Sequence, residues 1–388
     1  MSYRWTILAV LFAARTAMAF QFQSVAALSP YVIDSFLLTL ADIGLLIGLF
    51  LGPGILVAIP GSAIAARVGD KRVTVISLGL MLIGAILMAI APGWEMLIAG
   101  RILSGIGGCV INVIMTKMLL DWFADKEIGT AMGVYIGSWP FGIALALLIL
   151  PPLSAIGGLD FAWAGLGILV ALAMVAVVLF YRPPDGLTAV QGPNTRAAFA
   201  MSPLLASALI WSVYNAGIAM VFGFGPLLLT QQGLGAVSAS SVISVFMLTL
   251  GLGVPLGGIL SDRSGRRDTV IAISLAVTAI CMPLLISVPQ SLLMPAYGIV
   301  GLVMGIAAGP IMTTPAQVLP PPARAVGMGL FWTVYYAVMM FAPSLAGQIA
   351  DRFSDASTAY WLGAGGLVFC LLCLGLFRQL APSASHTT

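Results

Sequence analysis

The run Gly258-Ile-Leu-Ser-Asp262-Arg263-Ser-Gly265-Arg266-Arg267 joins two long apolar segments, and each of its polar residues has a physical use there. Glycine permits close helix approach, Asp262 can accept hydrogen bonds from a neighbouring helix terminus, and the arginines hold the loop at an anionic membrane surface. An earlier run, Gly61-Ser-Ala-Ile-Ala-Ala66-Arg67-Val-Gly69-Asp70-Lys71-Arg72, joins another pair of apolar segments. At a fixed offset of 196 positions, Pro30 matches Pro226, Gly61 matches Gly257, Arg67 matches Arg263, Gly69 matches Gly265 and Lys71 matches Arg267. Order preserved over so many positions predicts an internally repeated chain, the pattern of a transporter built from two related halves. One difference stands out: Ala66 occupies the place of Asp262, and the nearest carboxylate, Asp70, is displaced from it. The first copy is therefore expected to latch more weakly or by another arrangement.

Composition places the chain in the membrane. Its 388 residues are 61 % hydrophobic and 7 % charged, with a mean hydropathy of +1.11, outside the range of a soluble domain. The first apolar run lacks a small-residue cleavage pattern and reads as a retained helix. Cys109, Cys281, Cys370 and Cys373 all fall in apolar segments, as small buried side chains do, and the lone histidine, His386, lies in a polar tail read as disordered. There is no histidine cluster, metal-ligand spacing or nucleophile–base pair, so no enzyme activity, cofactor, metal or nucleic acid is expected.

Apolar segments separated by short polar breaks predict twelve spans, over residues 6–30, 40–61, 73–91, 96–118, 129–150, 161–181, 203–229, 236–259, 269–288, 294–314, 325–348 and 359–377. The expected fold is all-α, with twelve transmembrane helices in two pseudo-symmetric six-helix bundles, residues 1–181 and 203–388, around a cytoplasmic linker at 182–202. With the amino terminus inside, Arg4, Arg67, Lys71, Arg72, Lys126, Arg182, Arg196, Arg263, Arg266, Arg267, Arg324 and Arg378 are cytoplasmic and only Arg352 is outside. That bias puts both termini in the cytoplasm, and a bacterial inner membrane is the expected location.

The run ending at Arg267 resembles the signature Gly-x-Leu-x-Asp-Arg-x-Gly-Arg-Arg of the major facilitator superfamily at every defining position. The resemblance implies that the loop latches the two bundles, which assigns gating to Gly258, Asp262, Arg263, Gly265 and Arg267, and to Gly61, Arg67 and Asp70 in the first copy. Arg101, opening Arg-Ile-Leu-Ser-Gly105-Ile-Gly107-Gly108, is similar to the family's fourth-helix signature, whose arginine is linked to proton coupling. Snorkelling to the outer surface is an equal reading of Arg101. Gly133, Gly137 and Gly142 with Pro140 look like a loose fifth-helix antiporter pattern without its Gly-Pro pair, and support close packing more than export.

Arg15 is the sharpest functional signal. It lies eleven positions beyond Arg4, about 16 Å into a hydrocarbon core about 30 Å thick. A cation at that depth needs a polar cavity, a partner or an anionic ligand, although tying helices together through carbonyls is the plainer alternative. The family resemblance implies that helices one, four, seven and ten line a central cavity with help from five, eight and eleven. On this chain that selects Arg15, Gln21, Asn112, Tyr135, Trp211, Asn215, Tyr335 and Tyr336 for substrate binding. No Asp or Glu lies near the centre of a span, so Asp34 near the outer boundary joins Arg101 as a coupling candidate, with a solvated span terminus as its simpler role. Lys117, near the inner boundary, snorkels or pairs with Asp121. Ser24, Val25 and Pro30 after Arg15 distantly resemble the cyanate and nitroimidazole branch, and the general style resembles small-anion carriers, without the paired bases of nitrate and oxalate carriers.

The expected function is secondary transport of a small anion, a monocarboxylate or small inorganic monoanion, by a monomer in a lipid bilayer, with protons or a counter-transported anion as coupling partners. Proton-linked efflux of amphipathic drug-like compounds is the alternative, served by aromatic and methionine side chains.

Overall fold

Apolar runs of this length leave the backbone only one way to satisfy its hydrogen bonds in hydrocarbon, and every long element is helical. The computed structural model describes residues 3–123, 128–184, 200–320 and 324–380, with no β-strand among them. The expected linker at 182–202 and the tail around His386 lie mostly or wholly outside the described residues, as do Lys126 and Arg196.

The first half consists of α1 (Tyr3–Ala27), α2 (Ser29–Phe36), α3 (Leu40–Leu51), α4 (Gly54–Val68), α5 (Asp70–Ala89), α6 (Trp94–Phe123) and α7 (Ile128–Phe180). The second consists of α8 (Met201–Gln231), α9 (Ala236–Ser264), α10 (Arg267–Leu284), α11 (Leu293–Met312), α12 (Thr314–Val318), α13 (Arg324–Phe353) and α14 (Thr358–Leu380). Two short 3-10 turns, Leu285–Ser287 and Gln290–Leu292, connect α10 to α11. Eleven helical stretches among the described residues are long and apolar enough to span a membrane. The longest covers 47 residues, about 70 Å at the helical rise, more than twice the hydrocarbon thickness. It is broken at Gly158, where φ is 78° and ψ −179°, so α7 supplies two spans and the total is twelve.

Backbone geometry carries the internal repeat more sharply than the residues do. Positive φ occurs at Leu37, Gly69, Gly158, Gly233, Gly265 and Ser354 among the described residues. These six form three pairs separated by 196 positions: Leu37 with Gly233, Gly69 with Gly265, and Gly158 with Ser354. Each pair ends or breaks a helix at the same place in both halves, although glycine occupies both positions only in the middle pair. Close approach repeats too. A side chain on Gly61 would meet Val110, and one on Gly257 would meet Ile306, again an offset of 196 on both sides of the contact.

Boundaries differ from expectation in three ways, each with a physical reason. Span one ends at Ala27 because Pro30, without an N–H, begins the separate helix α2, whereas its repeat mate Pro226 lies inside α8. The connection expected over 151–160 is helical as far as the break at Gly158, because the fixed φ of Pro151 and Pro152 is itself helical and only the positive φ turns the chain. Several helices outrun their apolar segments, α6 reaching Phe123 and α13 Phe353, since a polar turn continues beyond the hydrocarbon at little cost.

Two symmetry-related helix pairs join the halves, α3 with α13 and α7 with α9. Exposed Ile83, Leu172, Leu179, Ile280, Phe341 and Leu372 form an outward apolar surface suited to lipid. One end of the molecule, termed here the basic face, carries Arg67, Lys71, Arg72, Arg263, Arg266, Arg267 and Arg378; the opposite face carries Asp34, Asp42, Glu95, Asp160, Asp351 and Asp355.

Candidate functional site: a central cavity

A cavity of about 550 Å³ lies between the halves, within the size range of small-molecule sites. Arg15, Met18 and Phe22 of α1 line it, as their i, i+3, i+7 spacing places them on one helix face. Arg15 is twelve residues into α1, Asn112 eleven from the end of α6, Trp211 ten into α8 and Tyr336 twelve into α13. At about 1.5 Å per residue, all four lie roughly 15–18 Å from the basic-face ends of their helices, in one layer near mid-span.

Arg15 is held from below by Tyr135. Its Nη1 donates to the Tyr135 carbonyl at 3.1 Å, and its guanidinium carbon stands 4.5 Å from the Tyr135 ring centroid. It is the one charged residue in the described lining, and no described carboxylate pairs with it. Trp211, its repeat mate, faces the cavity from the other half, with Tyr335 at 6.5 Å and Tyr214 at 6.0 Å between ring centroids. Trp332 and Tyr336 extend this wall, each packed on Tyr335. The cavity therefore has a cation on one side and an aromatic wall on the other.

Several polar atoms at this level are buried without a hydrogen-bond partner: Arg15 Nε, Trp211 Nε1, Asn112 Oδ1, Tyr135 Oη and Tyr336 Oη. The Tyr336 hydroxyl lies near Asn112 without completing a hydrogen bond. Asn215 lines the cavity but spends its Nδ2 on the Trp211 carbonyl at 2.8 Å. The unpartnered atoms of the lining residues Arg15, Trp211, Asn112 and Tyr336 face a roomy site, where water or a polar ligand answers them.

Six of the eight expected binding residues, Arg15, Asn112, Trp211, Asn215, Tyr335 and Tyr336, line the cavity. Tyr135 does not line it; it supports Arg15. Gln21 lies away from the lining because six helical steps turn it about 240° from Arg15. Its Nε2 donates to the Met81 carbonyl and Ser104 Oγ, both at 2.8 Å, inside the first half. Arg101 does not snorkel: it is fully buried and donates to the carbonyls of Leu46, Gln21 and Phe22, with its guanidinium over Phe50. These bonds tie α6 to α1 and α3.

The lining ends toward the opposite face at a plug of aromatic rings. Phe22 packs on Phe50 at 5.5 Å, on Trp139 at 5.2 Å and across the halves on Phe222 at 5.6 Å. Gln23 Nε2 donates to the Phe222 carbonyl at 2.9 Å. Farther out, Asp351 of α13 accepts from the Leu40 and Ala41 amides of α3, both at 2.8 Å. Every side-chain hydrogen bond between described residues that joins the halves lies on this side. At the basic face, exposed Asp262 and Arg263 make no side-chain hydrogen bond or ion pair with another described residue, and Asp70 pairs within its own half with Lys117 at 2.5 Å. Lys117 also meets Asp121 at 3.2 Å. Arg67 is exposed, Gly258 borders open space, Gly265 ends α9 with φ of 62°, and Arg267 begins α10. Asp34 is exposed beside the Asp351 crevice.

Asp351 and the Phe22 plug escaped the sequence reading. Phe22 carried a usable signal, its spacing from Arg15, whereas the partners of Asp351 are backbone amides and leave none.

The profile of the Major Facilitator Superfamily matches residues 10–245 and 212–388. The chain is 24 % identical over 354 residues to the citrate-proton symporter of Klebsiella pneumoniae, covering 81 % of this chain and 77 % of that one. It is 26 % identical over 229 residues to the 3-(3-hydroxy-phenyl)propionate transporter of Escherichia coli (strain K12), covering 56 % of each. A bacterial homologue of the human lysosomal transporter Spinster, solved in an inward-facing and occupied conformation, superposes with a TM-score of 0.80 at 17 % identity over 99 % of this chain and 100 % of that one. With its twelve spans, repeated halves and matching profile, the chain belongs to the Major Facilitator Superfamily and is a multi-pass membrane transporter.

Proposed function

We propose that the protein moves small organic anions, monocarboxylates above all, through the central cavity by alternating access, with the basic face in the cytoplasm of a bacterial plasma membrane. The observation that carries this reading is Arg15, a mid-span guanidinium in the cavity wall with no described carboxylate beside it. A ligand carboxylate supplies the missing charge through charge-assisted bonds, and the Trp211, Tyr335 and Trp332 wall covers its apolar portion. The buried Trp211 Nε1 and Tyr336 hydroxyl add donors, and Asn112 Oδ1 an acceptor, for further polar groups. Relatives named for carrying citrate and a hydroxyphenylpropionate support an organic acid. Closure at Phe22 and Asp351, with no bond from Asp262 or Arg263 to another described residue, supports a state facing the cytoplasm, with the gating residues of both loops engaging when it reverses.

A thermal-stability screen of the purified protein tests the reading, using 3-phenylpropionate, benzoate and citrate, the neutral amide 3-phenylpropionamide, and a cationic amphiphile such as tetraphenylphosphonium. Stabilisation by a monocarboxylate and not by its amide is expected. Stabilisation by the cation alone moves the assignment to efflux of amphipathic compounds.

A further inference from the structure

The amino terminus of α3 has a complete hydrogen-bond account, and half of it is supplied by the other half of the molecule. A helix start leaves its first amides without intrahelical partners. Here Thr39 and Asp42 form a reciprocal capping box: the Asp42 amide donates to Thr39 Oγ1, and the Thr39 amide donates to Asp42 Oδ2. The two amides between them, on Leu40 and Ala41, donate to Asp351 Oδ1 and Oδ2 of α13. A carboxylate across a helix amino terminus also meets the positive end of the helix dipole.

Asp351 ends a continuous contact. Along α13, Met340, Pro343, Gly347 and Asp351 follow one another at three- or four-residue steps on a single face. They meet Gly48, Gly44 and then Leu40 and Ala41 on the antiparallel α3, with Gly44 and Gly48 directly against the α13 backbone and Gly347 against that of α3. Such backbone contact lets the carboxylate reach the amides without spanning a gap.

The repeat has no second copy of this device. At the offset of 196, Asp351 corresponds to Ala155 and Thr39 to Gly235, and α9, which starts after Gly235, has no side-chain cap. The internal symmetry therefore does not require Asp351. The sequence signature of gating lies at the basic face instead, where described residues place no such bond between the halves.

We propose that Asp351 is a one-sided latch that holds the opposite face closed by capping α3 across the halves, and that its release accompanies opening of that face. This rests on the alternating-access reading above, because only a transporter that opens there must break these bonds. When the face opens, the amides of Leu40 and Ala41 and the carboxylate of Asp351 pass to water, so the latch biases the equilibrium without blocking it.

Electron–electron distance measurements on the full chain in lipid nanodiscs test the latch. Spin labels go on Glu95→Cys and Ser291→Cys, exposed repeat mates at the opposite face, after the four native free cysteines are replaced. Asp351→Ala is expected to raise the ratio of open to closed distances roughly tenfold, the scale of a lost charged cap. Leu40→Pro removes one donor from the other partner at the first helical position, where proline is tolerated and the preceding Thr39 is already extended. It is expected to shift the same ratio by roughly threefold, and the double variant no further than Asp351→Ala alone, since both changes cut the same bonds. Unchanged distances in folded Asp351→Ala, or a double variant shifted by the product of the two, overturn the latch. Counterflow of 3-phenylpropionate in reconstituted vesicles, run on the unlabelled protein, separates the two levels: flux with unchanged distances refutes the latch alone, and no flux with a single distance in every variant refutes the transport reading with it.

Discussion

Replacing Arg15 by glutamine keeps a polar side chain at the cavity wall and removes its charge. In the wild type the guanidinium uses one Nη1 bond on the Tyr135 carbonyl and leaves Nε without a partner. A ligand carboxylate is expected to take two charge-assisted bonds there, each worth about 1.5 kcal/mol at the low end for a charged group, or about 3 kcal/mol together. That corresponds to a loss of roughly 100-fold in affinity. The folded protein loses one backbone bond and the contact over the Tyr135 ring, each about 1 kcal/mol, against relief from desolvating an unpaired cation, so its stability is expected to move by less than about 2 kcal/mol. Arg15→Lys keeps the charge without the planar fork, for an expected loss of roughly tenfold. Calorimetric titration with 3-phenylpropionate, and with 3-phenylpropionamide as the uncharged control, measures the affinities, and thermal unfolding of the same variants measures the stability. The reasoning is refuted if Arg15→Gln binds the acid within threefold of wild type, or if wild type binds amide and acid alike.

Other substitutions separate lining from scaffold. Gln21→Leu is expected to leave the affinity for 3-phenylpropionate within twofold and to lower stability by about 1 kcal/mol, because Ser104 loses its partner; paired calorimetric and thermal-unfolding curves check both. Wild type is expected to prefer 3-(4-hydroxyphenyl)propionate over 3-phenylpropionate by roughly fivefold, about one hydrogen bond, and Asn112→Leu to erase that preference in competition binding. Lys117→Ala is expected to lower stability by about 1 kcal/mol in thermal unfolding, since the lysine side of its ion pairs with Asp70 and Asp121 is about half exposed.

Much of the architecture was legible because the physics that sets it is written in residue types. Lipid forces long apolar runs into helices, and the offset linking Arg67 to Arg263 is also the offset linking Gly69 to Gly265 in positive φ. The repeat was harder to read at Leu37 and Ser354, where a non-glycine residue adopts the same turn as its mate. Arg15 was legible through depth alone, since an isolated cation at mid-span demands an explanation. Gln21 sat at a plausible depth but on the wrong side of α1, a distinction that helical phase from Arg15 supplies. Arg101 illustrates a different limit. Its partners are the carbonyls of Gln21, Phe22 and Leu46, and backbone acceptors 55 to 80 residues away have no identity that a sequence displays. Asp351 is the same case at longer range, with its amide partners more than 300 positions earlier.

Counterflow in reconstituted vesicles tests the central claim most directly. Vesicles loaded with unlabelled 3-phenylpropionate and diluted into a trace of the labelled acid are expected to accumulate label transiently with the wild-type protein and not with Arg15→Gln. Accumulation by Arg15→Gln at the wild-type rate, or wild-type counterflow of tetraphenylphosphonium and of no carboxylate, contradicts an anion carrier built around Arg15.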